Sequence, residues 1–294
     1  MDCDCTLREL ECFTAVAEEL SFTRAARRLH LAQPPLSRHI KALEDRLGVR
    51  LFERTSKGAS LTAAGGRFKE ETRGILTQLA RAADTAKRAA HGELARLRLG
   101  FVSAVLTSEL VDSFRRFRAE HAAVQILLHD LPPADQLREI VAGSLDGGFV
   151  GVLPPGESPG IQFTPWRREP LTAFLPADHP LARHPRLALA DLAQERFVAV
   201  AGEAAPAFAA LVSRACRAAG FRPRVILESS RAQAVAVMVA AGSGVALLPQ
   251  SLARIPGEGV AVIPLKEAPV ITHVFAHAAG ETPDGLWRFI RMLC

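Results

Sequence analysis

AQPPLSRHIKALE, residues 32–44, sets two adjacent prolines directly before a run of helical apolar spacing, with Ser37, Arg38, His39 and Lys41 lying off that spacing. Proline is tolerated in the first helical turn because its missing N–H has no intrahelical partner there, so Pro34 and Pro35 mark a helix start. Leu36, Ile40, Leu43 and Leu47 follow at steps of four, three and four, a single stripe that has to face protein. What remains at the leading end is Gln33, Pro34, Ser37, Arg38 and Lys41. Glutamine and arginine offer paired donors and acceptors that match adenine and guanine edges, while serine and lysine suit phosphate.

The residues on either side supply a frame for such a helix. Upstream, Thr6-Leu7-Arg8-Glu9 has the form of a capping box, and Leu7, Leu10, Phe13, Ala17 and Leu20 recur on one face, predicting a helix over 6–19. Ser21 caps a second helix, SFTRAARRLH, whose Phe22, Ala25, Ala26 and Leu29 form an apolar side and leave Arg24, Arg27 and Arg28 outside. Two short helices joined by a tight turn, the second bearing base-matching side chains, is the helix-turn-helix arrangement. Downstream, after Gly48, the stretch VRLFERTSKGASLT reads as a hairpin wing that brings Arg54 and Lys57 to the sugar-phosphate backbone.

Charge follows the same division. From Arg24 to Lys57 there are nine cations (Arg24, Arg27, Arg28, Arg38, Lys41, Arg46, Arg50, Arg54, Lys57) against three anions (Glu44, Asp45, Glu53), whereas residues 1–23 hold one cation and six anions. An ordinary three-helix bundle with a solvated cationic face is the alternative. The prolines at the helix start, the clean stripe and the basic wing together weigh against it.

Thr62 caps a further helical pattern to about His91, with Phe68, Thr72, Ile75, Leu79, Ala82, Ala86 and Ala89 on one side. A single helix of that length spans about 45 Å, too long for so small a head to cover, so its stripe is expected to pack on a second copy.

The whole chain has 294 residues, is 49% hydrophobic and has a net charge of +5, its cations mostly arginine, which predicts more than one domain and favours an anionic partner. The start MDCDCTLREL has acidic residues where an export signal has cations, and no apolar run reaches membrane-spanning length, so a cytoplasmic protein is expected. Cys3, Cys5, Cys12, Cys216 and Cys294 lack the paired spacing of a disulfide framework or zinc site.

Beyond Gly92 the texture alternates. LRLGFV, VQILLH, LDGGFVGV, LTAFLP, RFVAVA, RVILE, GVALLP and ITHVFAHA read as strands, separated by helical runs that include PAFAALVSRACRAAG and the final LWRFIRML. This predicts an α/β unit with a mainly parallel sheet, with a loop cluster at 154–160. No GxSxG, HExxH or P-loop is present, and AAGSGVALLP reads as a helix end running into a strand, so no enzyme is predicted. His273 and His277 share a strand face but lack a third ligand for a metal, and are read as hydrogen-bonded or solvent-facing histidines. Cys216 is the candidate for a redox-sensing thiol.

Residues 9–65, from ELECFTAVAEEL through QPPLSRHIKALE to LTAAG, resemble the winged helix-turn-helix of LysR-type transcriptional regulators over their whole length. The resemblance places Gln33, Pro35, Ser37, Arg38 and Lys41 on the reading helix and Arg54 and Lys57 on the wing. It implies a DNA-binding domain at 1–62, a dimerising linker helix at 63–93 and an effector-binding domain at 94–294. The last consists of two subdomains like those of type 2 periplasmic binding proteins, subdomain I at 94–160 and 267–294 and subdomain II at 161–266. Expected partners are double-stranded promoter DNA, a small organic effector, further copies of the chain as homodimer or homotetramer, and RNA polymerase, with no membrane, cofactor or metal. Thiol- or metal-sensing regulation within the family, and a solute-binding protein without DNA function, are the alternatives.

Open α/β sheets bind ligands beyond the carboxyl ends of their strands, here residues 103–107, 130–135, 201–206 and 228–231. Candidate effector contacts are Ser103, Ala104, Pro133, Gly202, Glu203, Ser229 and Ser230. Some regulators of aromatic-compound breakdown, which the QPPLSR helix resembles, hold a dicarboxylate with hydroxyl side chains at the positions of Ala104 and Pro133. Neither residue here donates a side-chain hydrogen bond, so that ligand is not carried over, and Glu203 would repel a carboxylate it faced.

Overall fold

The computed structural model describes residues 5–55, 58–72, 74–91, 95–154, 156, 158–254 and 257–293. The chain divides into two compact units, residues 1–84 and 85–294.

In the first unit, α1 (Leu7–Glu19) starts at the capping box: Thr6 Oγ1 accepts from Glu9 N at 3.3 Å, and Glu9 Oε2 accepts from Thr6 N at 2.9 Å. α2 (Phe22–Arg28) is capped by the Ser21 hydroxyl, and α3 (Gln33–Leu47) opens with Pro34 and Pro35 in its first turn and closes at Gly48, whose φ of 68° is open to glycine at little cost. Leu36, Ile40 and Leu43 are buried against Phe13, Val16, Ala25 and Ala26, and Leu47 is partly buried against the same core. β1 (Phe52–Thr55) and β2 (Gly58–Leu61) form the antiparallel wing, Phe52 opposite Leu61 and Thr55 opposite Gly58. Glu44 Oε1 accepts from Leu51 N at 2.7 Å and Phe52 N at 3.0 Å, tying α3 to the wing.

Two expectations for the head change. Leu7 and Leu20 are exposed; Leu10, Phe13 and Ala17 are buried as expected, and Glu9, Cys12, Ala15 and Val16 are buried with them, because α2, α3, α4 (Ala63–Thr72) and β2 enclose the helix over a wide arc. Glu9 sits in that core at 3% exposure, where Arg46 Nη1 reaches its Oε2 at 2.7 Å. Arg46 therefore serves the head's interior as well as its surface charge.

The segment expected as one long helix is two, α4 and α5 (Ile75–Ala90). Thr62 Oγ1 caps the first by accepting from Gly65 N at 2.9 Å. Gly74 breaks the run: its φ of 99° lies outside helical space, and its carbonyl accepts from Gln78 N to start α5. Phe68 of α4 packs edge-on to Phe13 with centroids 4.9 Å apart, whereas Ile75 and Leu79 of α5 are 42% and 48% exposed.

The second unit contains a seven-stranded sheet of β3 (Ala95–Phe101), β4 (Val124–Asp130), β5 (Gly147–Val152), β6 (Ile161–Pro176), β9 (Ala246–Pro249), β10 (Val260–Pro264) and β11 (Val270–Ala278). Its path is β10-β6-β11-β5-β3-β4, with β9 on β6; β7 (Arg196–Val200) and β8 (Arg224–Ser229) form a separate parallel pair. The seven-stranded sheet is mixed, contrary to the mainly parallel expectation. β3 runs parallel to β4 and β5, but β11, β6, β9 and β10 pair antiparallel. The reason is β6: its residues 161–170 pair with β11 and 171–176 with β9 and β10, so one strand serves both halves of the unit.

Helices α6 (Ser108–Glu120), α7 (Pro133–Val141) and α10 (Asp284–Leu293) cover the β3–β5 part, and α8 (Pro206–Ala218) and α9 (Ala232–Ala240) the remainder. Phe149, Phe275, Phe117 and Phe289 are fully buried in one aromatic cluster. Among the described residues no helix is long and apolar enough to cross a membrane.

Because Leu36 is fully buried, Leu36→Ala is expected to cost about 2–5 kcal/mol. A thermal or denaturant melt of the full chain followed by circular dichroism checks this, and a loss below about 1 kcal/mol would remove the stripe from the core.

Candidate functional site

The leading end of α3 presents an edge with little internal employment. Gln33, Pro34, Arg38 and Lys41 are exposed, and Pro35 and Ser37 are partly so. Among the described residues no ion pair engages Arg38 or Lys41. Gln33 Oε1 accepts from the Thr23 hydroxyl at 3.2 Å, which fixes the first turn of α3 to α2. Upstream cations differ from expectation: Arg28 pairs with Glu18 at 2.5 Å, and Arg24 reaches Glu19 Oε2 at 3.2 Å, so α1 neutralises part of the basic patch. Arg54 lies on β1 opposite Ala59, and Lys57 lies outside the described residues. A groove runs beside this edge along Ser37, Arg38, Lys41, Asp45, Val49 and Arg50.

In the second unit a half-enclosed cavity, about 60 Å³ as traced by the centre of a water molecule, gathers four of the expected effector residues: Ser103, Ala104, Pro133 and Ser230. The other three fall elsewhere. Gly202 lines a separate apolar cavity beside α8 with Phe208 and Val225, Glu203 faces solvent, and the Ser229 hydroxyl accepts from Arg231 N at 3.3 Å. The wall is mostly apolar, from Val102, Val150, Val152, Val200, Phe208 and Pro249. At its lining Arg231 closes a clasp, its Nη1 bonding Asp130 Oδ1 and its Nη2 donating to the Asp130 carbonyl at 3.1 Å.

Sequence reasoning found the strand ends but not Arg231 or His273. Arg231 stood inside the expected 228–231 segment, and its arginine side chain was the available signal. His273 is 1% exposed and lines the cavity; its Nε2 sits 2.5 Å from Oε1 of Glu169. Ser251 N donates to Glu169 Oε2 at 2.7 Å, and the Ser251 hydroxyl lies 2.8 Å from the Ala104 carbonyl and 3.0 Å from Glu169 Oε1. Arg167 Nη1 stands 3.6 Å from the same carboxylate and Arg167 Nε 3.2 Å from Glu109. Burial pushes the Glu169 carboxyl up, but hydrogen bonds from His273 and Ser251 and the charges of His273 and Arg167 bring it below the usual carboxylate range.

The comparisons with known proteins agree with this arrangement in both units. Residues 7–66 match the family described as "Bacterial regulatory helix-turn-helix protein, lysR family", and residues 90–293 match "LysR substrate binding domain". The chain is 36% identical over 250 residues to the HTH-type transcriptional regulator AlsR of Bacillus subtilis (strain 168), covering 85% of this chain and 82% of that protein. It superposes on the crystal structure of CbnR, a LysR family transcriptional regulator, with a TM-score of 0.75 at 28% identity, covering 98% of each chain. Full-length CbnR complexed with its target DNA gives 0.74 over the same coverage.

The thiol and metal alternatives meet specific geometry. Among the described residues no three His, Cys, Asp or Glu side chains form a metal-holding group. His277 is buried, its Nδ1 2.9 Å from the Ala278 carbonyl, so both histidines are hydrogen-bonded within the fold and neither is solvent-facing. Cys216 is fully buried in an apolar core and burial pushes its thiol up to about 11, the reverse of a reactive thiolate. Since the folded value lies above 9.0, this thiol favours the folded state fully below pH 9.0, and that contribution disappears as pH rises to about 11. Cys216 is expected to resist iodoacetamide at pH 8 in the native chain and to react once unfolded, as read by peptide mass spectrometry. Rapid native labelling would restore it as a redox sensor.

Proposed function

The chain belongs to the LysR family of bacterial transcriptional regulators, and from that premise we propose that the leading edge of α3 reads promoter DNA under the control of a small molecule held in the second unit. It is a regulator with a helix-turn-helix DNA-binding domain and an effector-binding domain. The observation supporting the reading most directly is the division of α3 into two faces: Leu36, Ile40 and Leu43 are buried while Arg38 and Lys41 stand exposed.

In this reading Arg38 and Gln33 face base edges in the major groove, Ser37 and Lys41 meet phosphate, Pro34 and Pro35 set the angle of entry, and Arg54 and Lys57 follow the backbone from the wing. The proposed organisation keeps residues 1–62 as the DNA-binding domain, 63–93 as the linker and 94–294 as the effector domain. Its effector lies in the cavity lined by Ser103, Ala104, Pro133 and Ser230, where Arg231, paired with Asp130, is the one arginine among the described lining residues.

Self-association is part of the proposal. Ile75 and Leu79 leave an apolar stripe on α5 facing solvent, with Ala82 and Ala86 continuing it. A second copy of the helix covers such a stripe and presents two reading helices to half-sites on one face of the duplex. Pairs of dimers give the proposed tetramer.

Arg38→Ala is expected to weaken binding to the chain's own upstream DNA by about 1–3 kcal/mol and to reduce discrimination against scrambled duplex. Retardation gels at several salt concentrations, with helical content unchanged by circular dichroism, measure it, and equal affinity would end the assignment of Arg38. Leu79→Asp is expected to shift the chain toward monomer in light scattering. An unchanged mass would mean that α5 is not the dimer seam.

A further inference from the structure

We infer that Thr23, in the first turn of α2, is a positioning residue for base recognition: its hydroxyl holds the Gln33 amide, at the leading end of α3, in the orientation that meets a base edge. The inference rests on the proposed reading of promoter DNA by α3 and names a residue outside that helix on which its discrimination depends.

The hydroxyl is available for this task because the cap of α2 is supplied by another residue. Ser21 Oγ accepts from Arg24 N at 3.3 Å and closes the start of the helix. Thr23, two residues on, directs its hydroxyl across to α3 instead and donates it to Gln33 Oε1 at 3.2 Å. The core sets the separation of the two helix starts. Ala25 and Ala26 of α2 are buried in the same cluster as Leu36 and Ile40 of α3, so Thr23 and Gln33 are carried on a packed pair.

The start of α3 puts recognition on side chains. A helix N-terminus ordinarily offers its first N–H groups to a ligand, but Pro34 and Pro35 have none to offer, and Ala32 supplies no side-chain cap. Gln33 is long and flexible, and ordering such a side chain at the moment of binding costs entropy. The bond to Thr23 orders it beforehand. With Oε1 turned toward α2, the Nε2 end has no protein partner among the described residues and its two N–H groups remain for a base. Once a duplex excludes water from this edge, Oε1 keeps a partner through Thr23 where it would otherwise be desolvated and unpaired.

Thr23 is itself exposed, so the competing role is a direct contact of its hydroxyl with phosphate. The two roles change different quantities. A phosphate contact adds affinity to every sequence alike, whereas a positioning contact acts at one base pair and only while Gln33 is present.

Retardation gels of the full chain on its own upstream duplex, with each base pair of the half-site substituted in turn, separate the two. Gln33→Ala identifies the pair that Gln33 reads as the position where the preference disappears. Thr23→Val keeps the shape and removes the donor. It is expected to lower the preference at that same pair about three- to tenfold, to leave the salt dependence unchanged and to have no further effect when combined with Gln33→Ala. Thr23→Ser, which retains a hydroxyl, is expected to keep the preference. Should Thr23→Val lose helical content by circular dichroism, Thr23→Ala makes the same comparison. A loss spread evenly over all base pairs, or one that persists in the Gln33→Ala background, overturns the inference in favour of a phosphate contact. Undiminished preference in the Thr23 variant, with loss in Gln33→Ala, removes the inference alone. If Gln33→Ala changes the preference at no pair, the proposed role of Gln33 falls with it.

Discussion

Burial of three side chains on α3 fixes what the head can offer to a partner. Leu36, Ile40 and Leu43 are sealed against α1 and α2, each contributing about 1.5–3 kcal/mol of transfer free energy. Rotating the helix by one residue would expose part of that stripe and bury Arg38 or Lys41 without a partner, a change that costs on both sides. The polar edge is therefore held in place by the apolar one. Pro34 and Pro35 set where the edge begins, and Glu44, accepting from both Leu51 N and Phe52 N, keeps the wing at the other end of the same helix.

The head was legible because its signals are local. Capping residues, helical steps and the Gly48 stop all act within a few residues, and all three helices form where those signals place them. What escaped was non-local. Glu9 looked like half of a capping box and is also the buried partner of Arg46, 37 residues away. The apolar repeat through 62–91 masked the break at Gly74, because periodicity records which side chains share a face and says nothing about a single residue at φ 99°.

In the second unit the strands were legible but their partners were not. Each strand is a short apolar run between turn signals, whereas pairing direction depends on residues distant in sequence: β6 meets β11 about a hundred residues later. The site followed the same rule. Strand carboxyl ends are general ligand positions in α/β sheets, so the expected segments contributed Ser103, Ala104, Pro133 and Ser230 to one cavity. His273 escaped because its meaning comes from Glu169, 104 residues earlier, and an isolated histidine on an apolar strand has no such signal.

The cavity's two polar attachments differ in how readily they give way. The Asp130–Arg231 clasp joins half-exposed side chains, and solvent-screened pairs of this kind contribute little, so opening it exchanges one hydrated state for another at small cost. The Glu169–His273 pair is almost wholly buried, where separating two polar partners leaves each without hydration and is strongly disfavoured. The histidine is thus the firmer of the two attachments, held to β6, the strand whose two ends belong to the two halves of the sheet.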